Sequence, residues 1–306
     1  MPGLPLVGAQ LSAAGGLTNV PDRVAATGAE AVQIFNSNPR MWRSYAYSED
    51  EISAMTSALS DAGVPLFMHS IYLINLSSPD PTLRTRSAEA LSQALVLGAK
   101  TQAVGVVTHI GSHKGAGFEA AAEWIVAGVG DAQRQAEETL QAAVPLPRLL
   151  LENSPGSGSL VGGTLEELAR LIAVLPATCG ICLDTAHLFA AGIPAHTAEG
   201  LEEMVLHLQE LDLLGALGLV HLNDSKTPFA SGRDRHDNPG EGLIGSDGLS
   251  RVVRHPAFRM VPFILEVPGA DGHGPDALNV RRVQAMRAAS LSRPAPPARP
   301  ASRQEV

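Results

Sequence analysis

The feature of the sequence that most constrains the fold is a series of short apolar segments separated by helical patterns. Eight of these segments are rich in strand-forming residues, and each runs into polar residues at its end. The predicted strands are 5–10, 31–36, 66–70, 103–111, 149–153, 180–185, 217–224 and 263–267. Their apolar runs are continuous rather than alternating, which is typical of a parallel sheet covered by helices. Eight strands, each followed by a helix, predict an α/β fold, a single-domain (β/α)8 TIM barrel.

Helical patterns between the strands support this architecture. Apolar residues recur at three- and four-residue spacing most clearly over 87–99 and 165–175. The length of 306 residues suits one barrel, and a hydrophobic content of 45% is enough for a large core. We therefore expect one barrel domain over residues 1–291, followed by a Pro-rich, disordered tail over residues 292–306.

Composition bears on the compartment and on the partners. Cys179 and Cys182 are spaced as C-x-x-C, but Cys182 falls inside an apolar strand, which favours two buried thiols over a redox motif. Two reduced thiols, no signal peptide pattern and no apolar run of membrane length predict a cytoplasmic protein without membrane association. We also expect a monomer. The formal net charge of −9, taken alone, argues against a nucleic-acid partner.

Metal-binding side chains stand at the ends of six of the eight predicted strands. The residues at the strand ends are Gln10, Asn36, His69, His109, Glu152, Asp184, His221 and Glu266. Because the carboxyl ends of barrel strands meet at one rim, these side chains are expected to converge there. Each of them alone has an ordinary explanation, such as a core histidine or a helix cap. Six imidazoles and carboxylates on one rim indicate a metal site, because packing does not require them.

Three further donors belong to the same rim: His187 in "DTAH", and Asp234 and His236 in "DRH". A set of imidazoles and carboxylates without thiolate suits zinc, manganese, iron or nickel better than calcium or magnesium. Nine donors are too many for one zinc ion, which takes about four ligands. They suit two or three ions that share a carboxylate. Such clusters bind the attacking and leaving oxygens of a phosphodiester and lower the pKa of a bound water.

A set of longer motifs includes most of these residues. The motifs are "GAQLSAAGG" (8–16), "NPRMW" (38–42), "HSIYLINLSSPD" (69–80), "THIGSH" (108–113), "LEN" (151–153), "DTAHLFAAG" (184–192), "HLNDSK" (221–226), "DRHDNPGEGLIG" (234–245) and "LEVPG" (265–269). Through them the chain resembles the endonuclease IV family of apurinic/apyrimidinic (AP) endonucleases. The resemblance implies a zinc-dependent barrel hydrolase of base excision repair. Its substrate would be double-stranded DNA with abasic sites, cut 5′ to the lesion to leave a 3′-hydroxyl, and 3′-blocking groups would also be removed.

The resemblance also assigns the nine donors to three zinc ions, with manganese possible at one or more sites. The first ion would be held by His69, His109 and Glu152, the second by Glu152 as a bridge with Asp184, His221 and Glu266, and the third by His187, Asp234 and His236. A hydroxide between the first two ions would attack the phosphate. Glu152 and Glu266 would be the catalytic residues, since Glu266 would also hold and orient the nucleophile.

DNA contacts follow from the same resemblance. Arg40 and Tyr72 match the residues that enter the minor groove while the abasic nucleotide leaves the stack. Trp42 either stacks nearby or covers the core.

The negative net charge is a weaker objection to a DNA partner once the charges of the metal ions are counted. Four ligand carboxylates carry −4 and three divalent ions carry +6, so the filled site is +2. Basic residues on the rim are Arg40, Arg43, Lys114, Lys226, Arg233 and Arg235.

The chain departs from the family pattern at four positions, none of which is a ligand. Gln10 stands where His is usual, Ser157 where Gln is usual, Gly232 where a basic residue is common, and Pro239 where Ile or Leu is common.

Two other functions stay open. Related barrels that isomerise sugars bind one or two divalent ions at the same strand ends, but they need neither the third donor set nor Arg40 and Tyr72. A protein that binds damaged DNA without cleaving it would not need an intact ligand set.

Overall fold

All eight predicted strands form in the computed structural model, which describes residues 4–141 and 143–288. The barrel strands are β1 Val7–Gln10, β2 Val32–Phe35, β3 Leu66–His69, β4 Gly105–His109, β5 Arg148–Glu152, β6 Cys179–Asp184, β7 Leu217–His221 and β10 Phe263–Leu265. They are parallel to their neighbours and close in the order β1-β10-β7-β6-β5-β4-β3-β2. The predicted TIM barrel is therefore confirmed. The predicted tail over 292–306 lies outside the described residues.

The strand predicted over 217–224 ends earlier in the structure. The chain leaves the barrel after His221, and two short strands form an antiparallel hairpin outside it, β8 Asp224–Ser225 and β9 His236–Asp237. The apolar run Leu217–Val220 and His221 therefore form the barrel strand, while Asp224 belongs to a separate element.

Helices surround the sheet. They are α1 Val20–Thr27, α2 Glu49–Asp61, α3 Pro81–Lys100, α4 Phe118–Leu140, α5 Leu165–Ile172, α6 Thr185–Ala191, α7 Ala198–Glu210, α8 Gly245–Arg254 and α9 Ala277–Ala288, with 3-10 turns at Leu17–Asn19, Leu214–Ala216 and Pro256–Phe258. The two predicted helices lie within α3 and over α5. Helix α3 begins earlier than its apolar pattern because the side chain of Asp80 caps it and Pro81 suits its first position. Among the described helices, none combines the length and apolarity of a membrane span.

Two layers of inward-facing side chains fill the barrel. The lower layer is an apolar cluster of Ala31, Phe67, Val107, Leu150, Cys182, Leu219 and Ile264. Gly8 occupies the eighth position, where a Cβ atom would overlap the carbonyl oxygen of Ala31. Because side chains alternate along a strand, the residue two positions later faces the same way. The next layer is therefore polar at all eight positions, of which seven lie in strands and Glu266 directly follows β10: Gln10, Gln33, His69, His109, Glu152, Asp184, His221 and Glu266.

The two cysteines are buried and free, as the sequence predicts. Both lie in β6, and Cys182 belongs to the apolar layer. Burial raises the pKa of Cys182 to about 12 and that of Cys179 to about 11. Neither thiol is therefore ionised near neutral pH, which a redox motif would require.

Candidate metal centre

Two histidines and one glutamate form the first cluster of donors at the mouth of the barrel. His69, His109 and Glu152 end β3, β4 and β5, and these adjacent strands place them side by side. Nε2 of His69 lies 3.1 Å, and Nε2 of His109 lies 3.0 Å, from the same atom, Oε2 of Glu152. The three donor atoms lie within 4.8 Å of one another, so that one metal ion could contact all three.

The second cluster uses the other oxygen of Glu152. Nδ1 of His221 lies 3.1 Å from Oε1 of Glu152 and 3.1 Å from Oε2 of Glu266. Asp184 completes the group, whose four donor atoms again lie within 4.8 Å of one another. Glu152 thus takes part in both clusters, which is the arrangement that a bridging carboxylate needs.

The third cluster forms around the start of α6. Asp184 ends β6 and caps this helix, since its Oδ1 accepts a hydrogen bond from the N–H of His187 at 2.8 Å. Asp184, His187 and His236 form a group within metal-binding distance. Asp234 lies beside it, with its carboxylate 3.3 Å from Nε2 of His187 and 3.0 Å from Nε2 of His236. The structure therefore places all nine predicted donors together, and it adds that Asp184 faces both the second and third clusters.

The hairpin after β7 explains how donors at both ends of residues 221–236 reach one site. His221 remains in the barrel, and the pairing of Ser225 with His236 returns the chain to the rim. Asp224, fully buried, accepts hydrogen bonds from the main-chain N–H groups of residues 240, 242, 244 and 245. The carboxylate of Asp224 thus holds the loop that follows the hairpin.

Main-chain carbonyl groups fix three of the five imidazoles. Nδ1–H donates from His69 to Ser70 at 2.7 Å, from His187 to Asn153 at 2.9 Å, and from His236 to Glu266 at 2.9 Å. A carbonyl oxygen can only accept, so each of these nitrogens carries the proton. Nε2 is then the ring nitrogen left to bind a metal ion, and it faces the carboxylates of the centre. Metal-binding histidines are generally oriented by such a bond from the other ring nitrogen.

The carboxylates of the centre attract positive charge. Burial disfavours the charged form of His187, but Asp184, Asp234 and Glu152 outweigh this effect and raise the pKa of His187 to about 10. The pKa of His236 is raised to about 9, because Asp184 and Asp234 again outweigh burial. The site is therefore suited to cations, and a bound metal ion would compete with protons for these rings. A cleft of about 450 Å³ opens above it.

Comparison with known proteins agrees with this geometry. The family model described as "Xylose isomerase-like TIM barrel" matches residues 21–289. The "Probable endonuclease 4" of Nitratidesulfovibrio vulgaris is 36% identical over 280 residues, covering 90% of this chain and 97% of that protein. The protein of the same name from Methanoculleus marisnigri is 37% identical over 287 residues, covering 93% and 99%. The chain belongs to the endonuclease IV family.

A solved structure extends the match to three dimensions. The endonuclease IV from Thermus thermophilus superposes with a TM-score of 0.81 at 34% identity, covering 92% of this chain and 98% of that one. A D-tagatose 3-epimerase-like protein shares only the fold, with a TM-score of 0.66 at 18% identity. As a member of the endonuclease IV family, the chain is an enzyme, a hydrolase of the endonuclease class, and its donor clusters are capable of binding metal.

The two residues predicted to contact DNA lie on two loops that a main-chain hydrogen bond joins. The N–H of Tyr72 donates to the carbonyl oxygen of Pro39 at 2.9 Å, which joins the loop of Tyr72 to that of Arg40. Tyr72 is 49% exposed, and its ring stacks on His109 with centroids 5.7 Å apart. Burial and the nearby carboxylates raise the pKa of Tyr72, so that its hydroxyl remains a hydrogen-bond donor. Tyr72 is therefore accessible at the edge of the metal centre, and Arg40 is exposed on the neighbouring loop.

Trp42 has the structural role that was one of its two predicted alternatives. Its ring is partly buried against the core, and the guanidinium of Arg86 lies over it, 4.4 Å from the ring centroid. One face of the indole is therefore covered by a cation–π contact and is not free to stack on a nucleobase.

Three amide side chains support the donors and were not predicted as site residues. Gln33 contacts His221 and Glu266, Asn153 accepts from the N–H of Asp184 at 2.6 Å, and Asn223 donates to Oδ2 of Asp184 at 2.6 Å. Asn223 also accepts from the N–H of Glu266 at 2.8 Å. The one signal for Gln33 in the sequence is that a polar residue interrupts the apolar run of the strand predicted over 31–36. The roles of the two asparagines depend on contacts between strands that the sequence does not show.

Proposed function

We propose that this chain is a metal-dependent AP endonuclease of base excision repair. It hydrolyses the phosphodiester bond 5′ to an abasic site in double-stranded DNA, leaves a 3′-hydroxyl, and removes 3′-blocking groups. The observation that carries the proposal is the convergence of nine donors in three clusters. Glu152 belongs to the first and second clusters, and Asp184 belongs to the second and third. The names of the relatives, "Probable endonuclease 4", support an endonuclease activity.

The donor chemistry fits three zinc ions, with manganese acceptable at one or more positions. The proposed ligands are His69, His109 and Glu152 for one ion, Glu152, Asp184, His221 and Glu266 for the next, and His187, Asp234 and His236 for the third, with Asp184 also in reach. When bound, such ions lower the pKa of a water and stabilise charge on phosphate oxygens.

The carboxylates of the chain then have distinct tasks. Glu152 is 1% exposed, and each of its oxygens faces imidazoles on a different side, so it fixes the spacing of two clusters. Glu266 is held through Oε1 by the amide of Gln33 at 2.8 Å, and its Oε2 faces the cluster. Glu266 is accordingly proposed to orient the attacking water as well as to bind metal.

The acidic composition of the chain does not oppose a DNA substrate. Its formal net charge is −9, but the four ligand carboxylates would be more than neutralised by three divalent ions. The local field at the mouth of the barrel would then attract a phosphate, whereas the distant acidic surface matters less at physiological salt. Arg40, Lys226, Arg233 and Arg235 lie on loops that follow strands at this end of the barrel.

A nicking assay tests the proposed reaction directly. Purified protein is incubated with supercoiled plasmid that carries abasic sites and with the same plasmid without them. We expect conversion to the nicked form only with the abasic plasmid, and the new ends should prime a DNA polymerase because they carry 3′-hydroxyl groups. A protein that leaves the abasic plasmid intact but interconverts an aldose and a ketose would be a sugar isomerase instead.

Replacing Arg40 tests the proposed contact with the lesion. Arg40→Ala should weaken binding of an abasic duplex by about 1–3 kcal/mol and that of an intact duplex by less, because the side chain is proposed to fill the gap left by the missing base. Fluorescence anisotropy with the two duplexes at one salt concentration measures both affinities. Arg134→Ala serves as the control, since Arg134 is exposed on α4 and paired with Asp131 and Glu138. Equal losses on both duplexes would reduce the role of Arg40 to phosphate binding.

A further inference from the structure

Gln33 occupies a central place in the polar layer of the barrel. Its side chain is fully buried and contacts two proposed metal ligands at once. Oε1 of Gln33 accepts a hydrogen bond from Nε2–H of His221 at 3.1 Å, and its Nε2 donates to Oε1 of Glu266 at 2.8 Å. In the barrel order, β1 separates β2 from β10, and β7 is a further strand away. The amide therefore reaches across the barrel interior rather than to an adjacent strand.

We propose that Gln33 is a positioning residue that orients His221 and Glu266 together, a role that rests on the metal-dependent function proposed above. His221 differs from His69, His187 and His236, in which Nδ1 donates to a main-chain carbonyl. In His221 the ring is reversed, so that Nε2 donates and Nδ1 faces the carboxylates. Gln33 supplies the acceptor that main-chain carbonyls supply to the other three rings.

The same amide sets the orientation of Glu266. One oxygen of Glu266 accepts from Gln33, and the other lies 3.1 Å from Nδ1 of His221. Only a side chain with one acceptor and one donor can satisfy both neighbours. A glutamate at position 33 would accept from His221 but would place a carboxylate against that of Glu266, and a leucine would satisfy neither. The two substitutions therefore separate the two contacts.

Gln10 provides a matched comparison within the same layer. It has the same side chain and lies opposite Gln33 in the pairing of β1 with β2. Both polar atoms of its amide are buried, and they have no hydrogen-bond partner among the described residues. A glutamine in this layer therefore does not contact the donors merely because of its position. Gln10→Leu changes the layer in the same way as Gln33→Leu but removes no contact to a ligand.

The experiment compares wild type, Gln33→Leu, Gln33→Glu and Gln10→Leu. Each protein is equilibrated at a series of buffered free zinc concentrations, and zinc per chain is measured by elemental analysis. The kcat and KM for an abasic oligonucleotide duplex are then determined at saturating zinc. Circular dichroism and thermal unfolding show whether each variant folds, and Gln33→Glu keeps the polar character of the position if Gln33→Leu does not fold.

We expect Gln33→Leu to lower the affinity for the zinc ion proposed at His221 and Glu266 by about 10–100-fold, which is typical for the loss of a group that orients a ligand. Gln33→Glu should bind zinc more tightly than Gln33→Leu, because His221 keeps its acceptor, yet its kcat should fall at least about tenfold with KM little changed, because Glu266 is displaced. Gln10→Leu should retain the zinc affinity of wild type.

The proposal would be overturned by wild-type zinc affinity and kcat in Gln33→Leu, or by equal losses in Gln33→Leu and Gln10→Leu. The same holds if Gln33→Glu retains full kcat. If wild type itself binds no zinc or does not nick abasic DNA, the proposed function fails, and this outcome is distinct from a failure of the role of Gln33.

Discussion

Glu152→Gln should lower the nicking of abasic DNA by about a thousandfold or more. Glutamine has almost the same shape, so the change removes the charge while it leaves the packing intact. Oε2 of Glu152 lies 3.1 and 3.0 Å from His69 and His109, and Oε1 lies 3.1 Å from His221. An amide nitrogen in place of either oxygen has no lone pair to offer a metal ion, and the negative charge that attracts the ion is lost. Metal stabilisation of a transition state is worth several kcal/mol, and each 1.4 kcal/mol corresponds to a factor of about ten in rate.

The prediction is measured as the initial rate of nicking, together with zinc per chain. Glu152→Gln should contain less zinc than wild type, since two of the three proposed sites share this carboxylate. Glu30→Gln is the control, because Glu30 is an acidic residue that precedes β2 and pairs with Arg287, away from the nine donors. We expect Glu30→Gln to nick at the rate of wild type. Full nicking by Glu152→Gln would show that this carboxylate does not bridge two ions.

The barrel and its donors were predictable from the sequence because both depend on local patterns. A continuous apolar run bounded by polar residues marks a buried parallel strand, and the last residue of such a strand is at the rim of the barrel whatever its neighbours are. His109 and Glu152, for example, are the final residues of β4 and β5, and their pairing in the sheet follows from the strand order. His187 was also predictable, since its place in "DTAH" puts it on the first turn of the next helix.

What the sequence did not show are the contacts that depend on the side-chain conformations of several strands together. Asp184 was assigned to one ion, whereas it takes part in two of the donor clusters, and its Oδ1 also caps α6. Gln33 lies in a strand whose residues were read only as apolar or polar, so its contacts with β7 and β10 could not be inferred. The orientation of an imidazole ring likewise depends on a neighbouring carbonyl or amide, which the residue type alone does not identify.

Removing the metal ions should abolish nicking and lower the stability of the fold at once. Four carboxylates and five imidazoles meet at one end of the barrel, and without cations the carboxylates are balanced only by protonated histidines. An ion whose free concentration is about a thousandfold above its Kd contributes roughly 4 kcal/mol to the free energy of unfolding. In a domain of this size, the loss should lower Tm on the order of 10 °C per tightly bound ion.

Exhaustive dialysis against a chelator, followed by calorimetry and the nicking assay, measures both effects. Re-addition of zinc should restore Tm and activity, and manganese should do so in part, whereas magnesium should restore neither because imidazole donors bind it poorly. The variant Glu152→Gln should show a smaller difference in Tm between the dialysed and zinc-loaded forms, since it has fewer ions to lose. If elemental analysis finds no metal after dialysis while wild-type Tm and nicking are unchanged, then the nine donors hold the barrel together without serving as a metal centre. Ion pairs with the imidazoles would in that case be enough to account for the positions of the shared carboxylates.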